Sequence, residues 1–482
     1  MTTLETVLQD KFGYTSFRVG QKEAIESVLK KEDTLVMLPT GTGKSLCYQL
    51  PAYMLDGVTL IVSPLLSLMQ DQVEGLRLRG ENQVAALNSL TSYSEKRRVF
   101  NNIHQYKFIY TSPEMLQNIQ VMAALKRVKI SLFVIDEAHC ISHWGTDFRP
   151  DYLMLANIRN KLGNPTTMAL TATATKQVRK EIIQFLGLDI QRTKQIVHSV
   201  DREEIKFVVE VCDGNKEEKL TEYLKKLTGP GIIYFTSKKL ADAWAEKIYL
   251  ELGMKASSYH ADLEADDKIK IQQQFLNNHL QVICATSAFG MGFNKEDIRF
   301  IIHYHIPGSP EMYLQEIGRA SRDGEKGVAV LLYTPGDEQI QQWFIETSLP
   351  DRAALVQGTN KNTKMLVDDV IQKLVQFFMD QSKSVDEAME RIKERKRIKN
   401  IQLYFMMEYV YHKGCNRNFL LSYFDERKDS ELKQCCSNCD LNINQLIEEI
   451  NELHILDTNE NETENMQPWE RVFESLYNNL QL

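Results

Sequence analysis

The sequence predicts an α/β protein with two tandem parallel-sheet lobes, followed by a smaller helical subdomain that contains cysteines. Short apolar runs alternate with longer amphipathic stretches from about residue 33 to 340, a pattern typical of βα units. A polar stretch, HSVDREE (198–204), interrupts this alternation and indicates a linker between the lobes. Beyond residue 340 the pattern becomes helical and charged, and several cysteines cluster between residues 415 and 439.

Composition excludes several other classes of protein. The chain has 482 residues, of which 43% are hydrophobic and 25% charged, which excludes a disordered chain, a fibrous chain and a single small binding module. No apolar run is long enough for a membrane helix, and the first residues do not resemble a signal peptide, so we expect a cytosolic protein without membrane contact. The net charge of −8 weighs against an electrostatic nucleic-acid binder, but only weakly, because an acidic chain can contain a basic groove.

A phosphate-binding loop follows the first apolar strand. Residues 35–38 read as a strand, and PTGTGKS (39–45) precedes a helical stretch. In this arrangement backbone N–H groups and a helix N-terminus surround phosphates, Lys44 reaches the β and γ positions, and Ser45 holds Mg²⁺. The alternative is a glycine-rich turn with a chance lysine. The backbone contacts would come from Thr40, Gly41, Thr42 and Gly43.

Two carboxylates and two arginines would complete a site for phosphoryl transfer. Asp136 and Glu137 follow the apolar strand SLFVI, where Asp136 would bind Mg²⁺ and Glu137 would activate water. Arg319 and Arg322, in YLQEIGRASRDG, are three residues apart and would share one face of a helix. Since they belong to the second lobe, ATP would bind between the lobes. Taken alone, such arginines are usually part of a solvated surface.

These motifs together resemble the RecQ family of superfamily 2 DNA helicases, over roughly residues 10–442. The resemblance rests on FGYTSFRVGQ, PTGTGKSLCYQLPA, SPLLSLMQDQV, TSPE, DEAHCISHWGTDFRPDY, TATAT, YFTSKK, YHADL, ATSAFGMGFNK and QEIGRASRDG. It implies RecA-like lobes at 1–200 and 201–340, a helical zinc-binding subdomain at 341–442, and an acidic linker with a C-terminal amphipathic peptide at 443–482. Ser321 stands where the family usually has glycine.

The activity implied by the resemblance is ATP-dependent 3′ to 5′ unwinding of DNA in recombination, repair and replication-fork processing. By similarity, Tyr14 stacks on adenine, Arg18 and Gln21 contact it, and ATP and Mg²⁺ are the cofactors. The partners would be single-stranded and partially duplex DNA, in a monomeric protein of the bacterial cytosol associated with the nucleoid. Two alternatives stay open: an RNA helicase, and a DNA-stimulated ATPase that acts as a switch or scaffold.

Residues for DNA contact and coupling are predicted at several loops. Trp144, Phe148 and Arg149 form an aromatic and cationic segment just after Glu137, suited to stacking on unpaired bases; the alternative is that its aromatics are core residues. Thr171 and Thr173 are expected to link hydrolysis to movement between the lobes, although both could be ordinary strand-end threonines. Phosphate contacts independent of sequence are expected at Ser63, Pro64, Thr111, Ser112, Thr236, Ser237 and Thr286.

The cysteine cluster predicts a structural zinc site. Cys436 and Cys439 form a CxxC pair, Cys435 adjoins them, and Cys415 lies twenty residues before Cys435. Four thiolates suit tetrahedral Zn²⁺ and leave no open position for catalysis. The segment resembles the RecQ zinc-binding subdomain, with Cys435 replacing a ligand that bacterial relatives often place at Asn442. Free or redox-active thiols are the alternative.

The C-terminal region carries three further expectations. Few residues follow Cys439, so the chain resembles a short form without the winged-helix and C-terminal helical domains. DTNENETEN (457–465) reads as a flexible connector, followed by apolar residues at helical spacing. These residues would fold back on the body or dock on a partner protein; they are Trp469, Val472, Phe473 and Leu476. The basic run RIKERKRIK (391–399) would bind DNA backbone or form a solvated helix face.

Overall fold

The structure is a computed structural model that describes residues 3–142, 149–290, 293–359, 369–428 and 433–464. It contains two parallel β-sheets, one in each predicted lobe, and a helical C-terminal region. Residues 198–204 run between the last strand of the first sheet and the first strand of the second.

The first lobe is built on a seven-stranded parallel sheet. Its strands are β1 (Thr34–Met37), β2 (Val58–Val62), β3 (Val84–Leu87), β4 (Phe108–Thr111), β5 (Ile130–Ile135), β6 (Thr167–Thr171) and β7 (Lys194–Val197). Their spatial order is β3-β4-β2-β5-β6-β1-β7. Successive residues of β5 point to opposite faces: Phe133 and Ile135 pack into one apolar cluster, Leu132 and Val134 into another. Both faces are therefore covered, which explains why the strands read as continuous apolar runs.

The helices of the first lobe lie on the two faces of this sheet. They are α1 (Leu4–Phe12), α2 (Gln21–Leu29), α3 (Leu46–Met54), α4 (Leu66–Leu78), α5 (Tyr93–Asn101), α6 (Ile119–Leu125), α7 (Leu155–Lys161) and α8 (Lys176–Phe185). Short 3₁₀ helices occupy Ile103–Gln105, Met115–Gln117, Ala138–Ile141 and Pro150–Met154. Side-chain caps define several helix starts; Ser92 and Glu95, for example, form a reciprocal capping box at α5.

The second lobe repeats the plan with a six-stranded parallel sheet. Its strands are β8 (Ile205–Val211), β9 (Gly231–Tyr234), β10 (Ala256–Tyr259), β11 (Val282–Ala285), β12 (Phe300–His303) and β13 (Gly327–Tyr333). Their order is β10-β11-β9-β12-β13-β8, so β8 is an edge strand. The helices of this lobe are α9 (Lys216–Lys226), α10 (Lys238–Leu252), α11 (Ala265–Leu276) and α12 (Pro310–Ile317).

The helical C-terminal region packs against the second lobe. Its helices are α13 (Glu338–Thr347), α14 (Arg352–Thr359), α15 (Asp369–Asp380), α16 (Val385–Tyr411), α17 (Asn416–Tyr423) and α18 (Ile443–Glu464). Met406 and Tyr409 of α16 are fully buried in the core of the second lobe. The cysteine segment pairs with β8, since Phe207 N–H donates to the Cys435 carbonyl (3.2 Å) and Ser437 N–H donates to the Phe207 carbonyl (2.8 Å). This pairing covers an otherwise open sheet edge.

Helix α18 corrects the prediction of a flexible connector. Its backbone is helical through Glu464 and so includes most of the acidic stretch 457–465. Leu446, Ile447 and Ile450 are buried against the second lobe, and no proline or glycine interrupts residues 443–464. A helix nucleated by buried turns can extend into a polar continuation, because elongation costs far less than nucleation. The peptide with Trp469, Val472, Phe473 and Leu476 lies outside the described residues.

No helix within the described ranges combines the length and the apolar character that a bilayer crossing requires.

Candidate active site

A cleft of about 350 Å³ lies between the two lobes and contains the predicted catalytic residues. Lys44, Asp136 and Glu137 line it from the first lobe, and Arg319 and Arg322 from the second. The predicted nucleotide contacts Tyr14, Arg18, Gln21, Thr40, Gly41, Gly43 and Ser45 line the same cleft. Residues spread over most of the sequence thus meet in one site.

Sheet order explains why the phosphate loop and the acidic pair lie together. The phosphate loop, residues 39–45, follows β1, and Asp136 follows β5; only β6 separates these two strands. Parallel strands present their carboxyl ends at one edge, so both loops reach the same side of the sheet. Ser45 is the N-cap residue of α3, which places the helix N-terminus at the cleft.

The backbone of the phosphate loop is held by side chains of the FRVGQ segment. Gly41 and Gly43 have φ of 84° and 74°, a left-handed conformation that favours glycine. Gln21 Nε2 donates to the Thr42 carbonyl at 2.7 Å, and the Arg18 guanidinium donates to the Gly41 carbonyl. The Thr42 hydroxyl donates instead to the Pro39 carbonyl (2.8 Å), and Thr42 is not among the residues lining the cleft.

Burial shifts the pKa values of charged groups in the first lobe. Lys44 Nζ donates to the Leu38 and Pro39 carbonyls at 3.2 and 3.3 Å. Burial lowers the Lys44 pKa, while Glu137 and Asp136 act in the opposite direction. Burial, reinforced by Glu137, raises the Asp136 pKa to about 7, and Lys44 partly opposes this shift. A cation such as Mg²⁺ at this place would favour the ionised carboxylate.

The backbone of Glu137 has an unusual conformation. Its φ of 48° lies in the left-handed region, which costs roughly 1–2 kcal/mol for a residue other than glycine. Its N–H donates to Asp136 Oδ1 at 3.0 Å. Such strain is typical of functional sites, where the surrounding fold maintains it.

A hydrogen-bonded path leads from Glu137 to the second lobe. The Thr171 hydroxyl donates to the Thr173 carbonyl (3.1 Å), so the hydroxyl accepts from His139 Nδ1–H at 3.0 Å. The same Nδ1 lies 3.3 Å from Glu137 Oε2. Gln315 of α12 donates from Nε2 to the Thr173 hydroxyl oxygen at 3.1 Å. Both threonines are buried, and their hydroxyls connect the acidic pair to the opposite lobe.

The two arginines approach the cleft from a turn. We predicted that they share a helix face, which is wrong: α12 ends at Ile317, and the arginines follow it. Arg319 donates to the Gly290 carbonyl, and Arg322 Nη1 donates to the Phe293 carbonyl (2.9 Å). Burial, together with Arg319, lowers the Arg322 pKa to about 9. Within the described residues the Nε atoms of Arg319 and Arg322 are buried without a hydrogen-bond partner.

The backbone at Ser321, between the two arginines, is not helical. Its φ is 60°, in the left-handed region, which suits the glycine usual at this place. Its side chain is fully buried, and a Cβ built on Gly327 would lie 2.2 Å from Ser321 Oγ. The turn therefore accepts the serine only because its neighbour has no side chain.

The residues predicted for DNA contact lie at the carboxyl ends of strands in both lobes. Of these, Ser63, Pro64, Thr111 and Ser112 are buried in the first lobe, whereas Thr236, Ser237 and Thr286 of the second lobe are at least partly exposed. The Ser237 hydroxyl caps α10 by accepting from Leu240 N–H. Thr236 Oγ1 lies 3.2 Å from Nδ1 of His305, whose pKa burial lowers to about 4.

The predicted aromatic loop is described only in part. Trp144 and Phe148 lie outside the described residues. Arg149 is described, and its guanidinium donates to the Pro64 carbonyl at 2.6 Å. This bond joins the end of the loop to one of the predicted DNA-contact positions.

Four cysteines form the predicted metal-ligand group. The Sγ atoms of Cys415, Cys435, Cys436 and Cys439 all lie within 4.8 Å of one another. Tetrahedral zinc with Zn–S bonds of about 2.3 Å separates its sulfur ligands by roughly 3.8 Å, which this arrangement fits. Cys435 belongs to the group although it adjoins Cys436, and the Cys415–Cys435 Sγ distance is 3.5 Å.

Comparison with known proteins decides the family. Residues 18–182 match the DEAD/DEAH box helicase family, residues 215–324 match the helicase conserved C-terminal domain, and residues 367–441 match the RecQ zinc-binding domain. The chain is 44% identical over 459 residues to the probable ATP-dependent DNA helicase RecS of Bacillus subtilis, covering 91% of this chain and 92% of that protein. The chain belongs to the RecQ family of DNA helicases.

Other relatives and structures agree with this assignment. The chain is 36% identical over 440 residues to the ATP-dependent DNA helicase RecQ of Bacillus subtilis, covering 90% of this chain and 66% of that protein. The DUF1998 helicase MrfA, solved bound to DNA, superposes with a TM-score of 0.58 over 72% of this chain and 50% of its own, at 20% identity. That likeness supports the fold of two RecA-like lobes. As a RecQ-family helicase, the chain has ATP and Mg²⁺ as cofactors, and its RecQ zinc-binding domain contains a four-cysteine group that fits Zn²⁺.

Sequence reasoning missed several residues at this site. His139 and Gln315 connect the acidic pair to the second lobe. Arg202, in the interlobe linker, donates to backbone carbonyls on both sides of the junction. His139 is the last residue of the DEAH motif, which is a sequence signal for it, whereas Arg202 belongs to a polar linker that carries no recognisable pattern.

Proposed function

We propose that this chain is an ATP-dependent DNA helicase that moves 3′ to 5′ along single-stranded DNA and unwinds duplexes in recombination, repair and replication-fork processing. The observation that carries the proposal is the interlobe cleft, where Lys44, Asp136 and Glu137 face Arg319 and Arg322. Family membership supports DNA as the polymer. The names of RecS and RecQ relatives, which are DNA helicases, point the same way.

ATP would bind with its phosphates at the phosphate loop and its base toward Tyr14. Ser45 and Asp136 would hold Mg²⁺, which supplies positive charge to the β and γ phosphates. Glu137, aimed by its left-handed backbone, would accept a proton from the attacking water. Arg319 and Arg322 would stabilise the charge that develops on the γ-phosphate, so hydrolysis requires both lobes to be in place.

Coupling to DNA would run through the path from Glu137 to Gln315. A shift of the second lobe moves Gln315, and the Thr173 and Thr171 hydroxyls transmit that shift to His139 beside Glu137. We assign DNA contacts to the strand-end loops, because small hydroxyl residues and amides bind phosphates without reading base identity. The segment containing Trp144, Phe148 and Arg149 would stack on unpaired bases.

The proposed division places lobe 1 at 1–200, lobe 2 at 201–340 and the zinc-binding subdomain at 341–442. We further propose a monomer of the bacterial cytosol, associated with the nucleoid and able to contact a protein partner through its C-terminal peptide. Helix α18 links that peptide to the second lobe, where Lys326 and Glu449 form an ion pair at 2.8 Å.

The test measures ATP turnover with single-stranded DNA, single-stranded RNA or no polymer, together with unwinding of duplexes that carry a 3′ or a 5′ tail. DNA-stimulated turnover with unwinding from a 3′ tail is the expected result. ATP turnover that RNA stimulates more than DNA would reject DNA as the substrate. ATP turnover without strand separation would indicate a switch or translocase. A Glu137→Gln variant serves as control, because it should retain the fold and the nucleotide contacts but lack the base.

A further inference from the structure

Arg202 lies in the linker that joins the lobes, and its side chain points into the junction between them. The side chain is 12% exposed and forms an ion pair with Glu204 two residues later. Neither residue contributes to the lining of the nucleotide cleft. Arg202 therefore lies outside the cleft, where the two lobes meet.

The Arg202 guanidinium donates to backbone carbonyls of both lobes. Its Nη1 donates to Thr40 in the phosphate loop at 2.8 Å and to Gly318 in the second lobe at 3.3 Å. Its Nη2 donates to Ala320 and Ser321 at 3.2 and 2.6 Å. Residues 318–322, which we name the arginine turn, carry the two arginines of the active site. One side chain therefore joins the phosphate loop to the arginine turn.

The geometry of this bridge requires a planar, multidentate cation. A guanidinium presents five N–H donors in one rigid plane, whereas a lysine ammonium is a compact charge on a flexible stem. The junction is also tightly packed: a Cβ on Gly41 would lie 3.3 Å from Arg202 Nη1 and 3.0 Å from Arg322 Cγ. Loss of the guanidinium would let the arginine turn move relative to the phosphate loop.

The zinc-binding subdomain holds the backbone of the linker. Arg417, which is 1% exposed, donates to the Asp201 carboxylate and to the Arg202 carbonyl (2.9 Å). The neighbouring Asn416 N–H donates to Cys436 Sγ at 3.4 Å. The cysteine group, Arg417 and the linker thus form a connected path that ends at the Arg202 side chain.

We propose that Arg202 is a positioning residue for ATP hydrolysis, which sets the arginine turn against the phosphate loop and is itself held by Arg417 of the zinc-binding subdomain. The proposal rests on the ATPase function proposed above. Arg202 does not line the nucleotide cleft; it acts through the backbone of Thr40 and of residues 318–321.

The first experiment compares Arg202→Ala and Arg202→Lys with Arg159→Ala in the zinc-loaded protein of 482 residues. Arg159 is a matched control: it is also 12% exposed and pairs with Asp33 at 2.9 Å, but the side chains that its guanidinium contacts, Asp33, Asn164 and Thr167, belong to the first lobe. Steady-state ATP turnover with single-stranded DNA, the KM for ATP and the melting temperature are measured for each variant. We expect kcat to fall by at least about 10-fold in both Arg202 variants, because the reaction slows steeply when catalytic groups are misplaced.

The KM for ATP should change less than about threefold in the Arg202 variants, because the groups that bind ATP remain and the missing interaction aligns the transition state. Added guanidinium ion should restore part of the turnover of Arg202→Ala. Arg159→Ala should lose melting temperature but retain kcat. A kcat of Arg202→Ala equal to that of the wild type, or a loss no larger than that of Arg159→Ala, would overturn the proposal.

Amide hydrogen exchange provides a readout that does not depend on activity. Without nucleotide, Arg202→Ala should exchange faster in both residues 38–45 and residues 316–324, whereas Arg159→Ala should leave these segments unchanged. Unchanged exchange in Arg202→Ala would reject the positioning role. If the wild type shows no ATP turnover with any polymer, the proposed function fails, while hydrogen exchange still decides the role of Arg202.

The contribution of the zinc-binding subdomain is tested by Asp201→Asn, with Asp33→Asn as control. The Asp201 carboxylate forms ion pairs with Arg417 and Lys428, and its side chain is 5% exposed. Asp201→Asn should lower kcat and raise exchange in residues 316–324 with zinc content unchanged. Wild-type kcat and exchange in this variant would contradict the link to the zinc-binding subdomain.

Discussion

Thr40 of the phosphate loop donates its hydroxyl proton to the carbonyl oxygen of Gly318, in the arginine turn of the second lobe, at a distance of 2.8 Å. The contact leaves no room for a side chain, because a Cβ on Gly318 would lie 2.0 Å from Thr40 Oγ1. The two segments that carry Lys44 and Arg319 are therefore in direct contact. Small changes at this contact should separate the lobes and slow hydrolysis.

Gly318→Ala tests this contact. The added methyl group would force Thr40 away, and we expect ATP turnover to fall by at least about 10-fold because the arginines lose their position. Alanine can adopt the Gly318 backbone conformation, whose φ is −64°, but its methyl group would also lie 2.8 Å from the Leu314 carbonyl oxygen. Gly75→Ala is the control: Gly75 lies inside α4 with no atom within 4 Å of a built Cβ, and alanine there should raise stability by about 1 kcal/mol. Wild-type turnover of Gly318→Ala would mean that the contact is dispensable.

Lys44→Ala should abolish ATP turnover but leave DNA binding without nucleotide largely intact. The Lys44 ammonium occupies the phosphate loop, where it donates to two backbone carbonyls, and alanine removes the charge that would meet the β and γ phosphates. Turnover and binding of a fluorescent DNA strand are measured side by side. Lys129→Ala, an exposed lysine paired with Asp56, should behave like the wild type. Full turnover in Lys44→Ala would refute the assignment of the loop.

Asp136→Asn should stabilise the nucleotide-free protein while abolishing turnover. Since the Asp136 pKa is raised from 3.8 to about 7, the folded state binds its proton more tightly than the unfolded state. The stability contribution of that proton is present below pH 4 and is lost as the pH rises to about 7. The melting temperature of Asp136→Asn, measured without Mg²⁺, should therefore exceed that of the wild type by more at pH 8 than at pH 5. An equal difference at both values would exclude the raised pKa.

Gln315→Ala should reduce DNA-stimulated turnover more than basal turnover. The variant loses the bond to the Thr173 hydroxyl, and with it the path to His139 and Glu137, while every group proposed to contact ATP remains. Turnover is measured with and without saturating single-stranded DNA. Gln272→Ala, whose amide bonds the Tyr259 hydroxyl within the second lobe, is the matched control. Equal losses with and without DNA would make Gln315 a structural residue.

Cys439→Ser should lower the zinc content of the purified protein and its melting temperature. The cysteine segment pairs with the edge strand β8, so its release also exposes that edge. Zinc is measured by elemental analysis and stability by thermal unfolding. Cys212→Ser changes a buried cysteine outside the four-cysteine group and should keep the metal. Unchanged zinc in Cys439→Ser would remove this cysteine from the ligand set.

Motifs predicted the nucleotide site because its chemistry requires local patterns. A phosphate loop needs glycines, lysine and a hydroxyl in consecutive positions, so Lys44 and Ser45 were recognisable without a structure. The acidic pair was identified by its place after an apolar strand. The helix predicted for Arg319 and Arg322 was wrong, because the left-handed conformation of Ser321 belongs to a turn that spacing alone does not reveal.

The connector at residues 457–465 was also mispredicted. Its composition is polar and acidic, but the preceding turns of α18 are buried through Leu446, Ile447 and Ile450. Composition indicates the conformation that a segment would prefer in water by itself. The second lobe supplies an apolar surface that the composition of the segment does not reveal. Packing on this surface stabilises the first turns of the helix.

The sequence alone determined the two parallel-sheet lobes, the phosphate loop, the acidic pair and the four cysteines, since each depends on residues close together in the chain. Only the tertiary structure decided how the lobes meet. Arg202 joins carbonyls of Thr40 and Ser321, and Gln315 reaches Thr173. The physical reason is that these partners are backbone groups or common polar side chains more than a hundred residues apart, and such hydrogen bonds leave no periodic or compositional pattern.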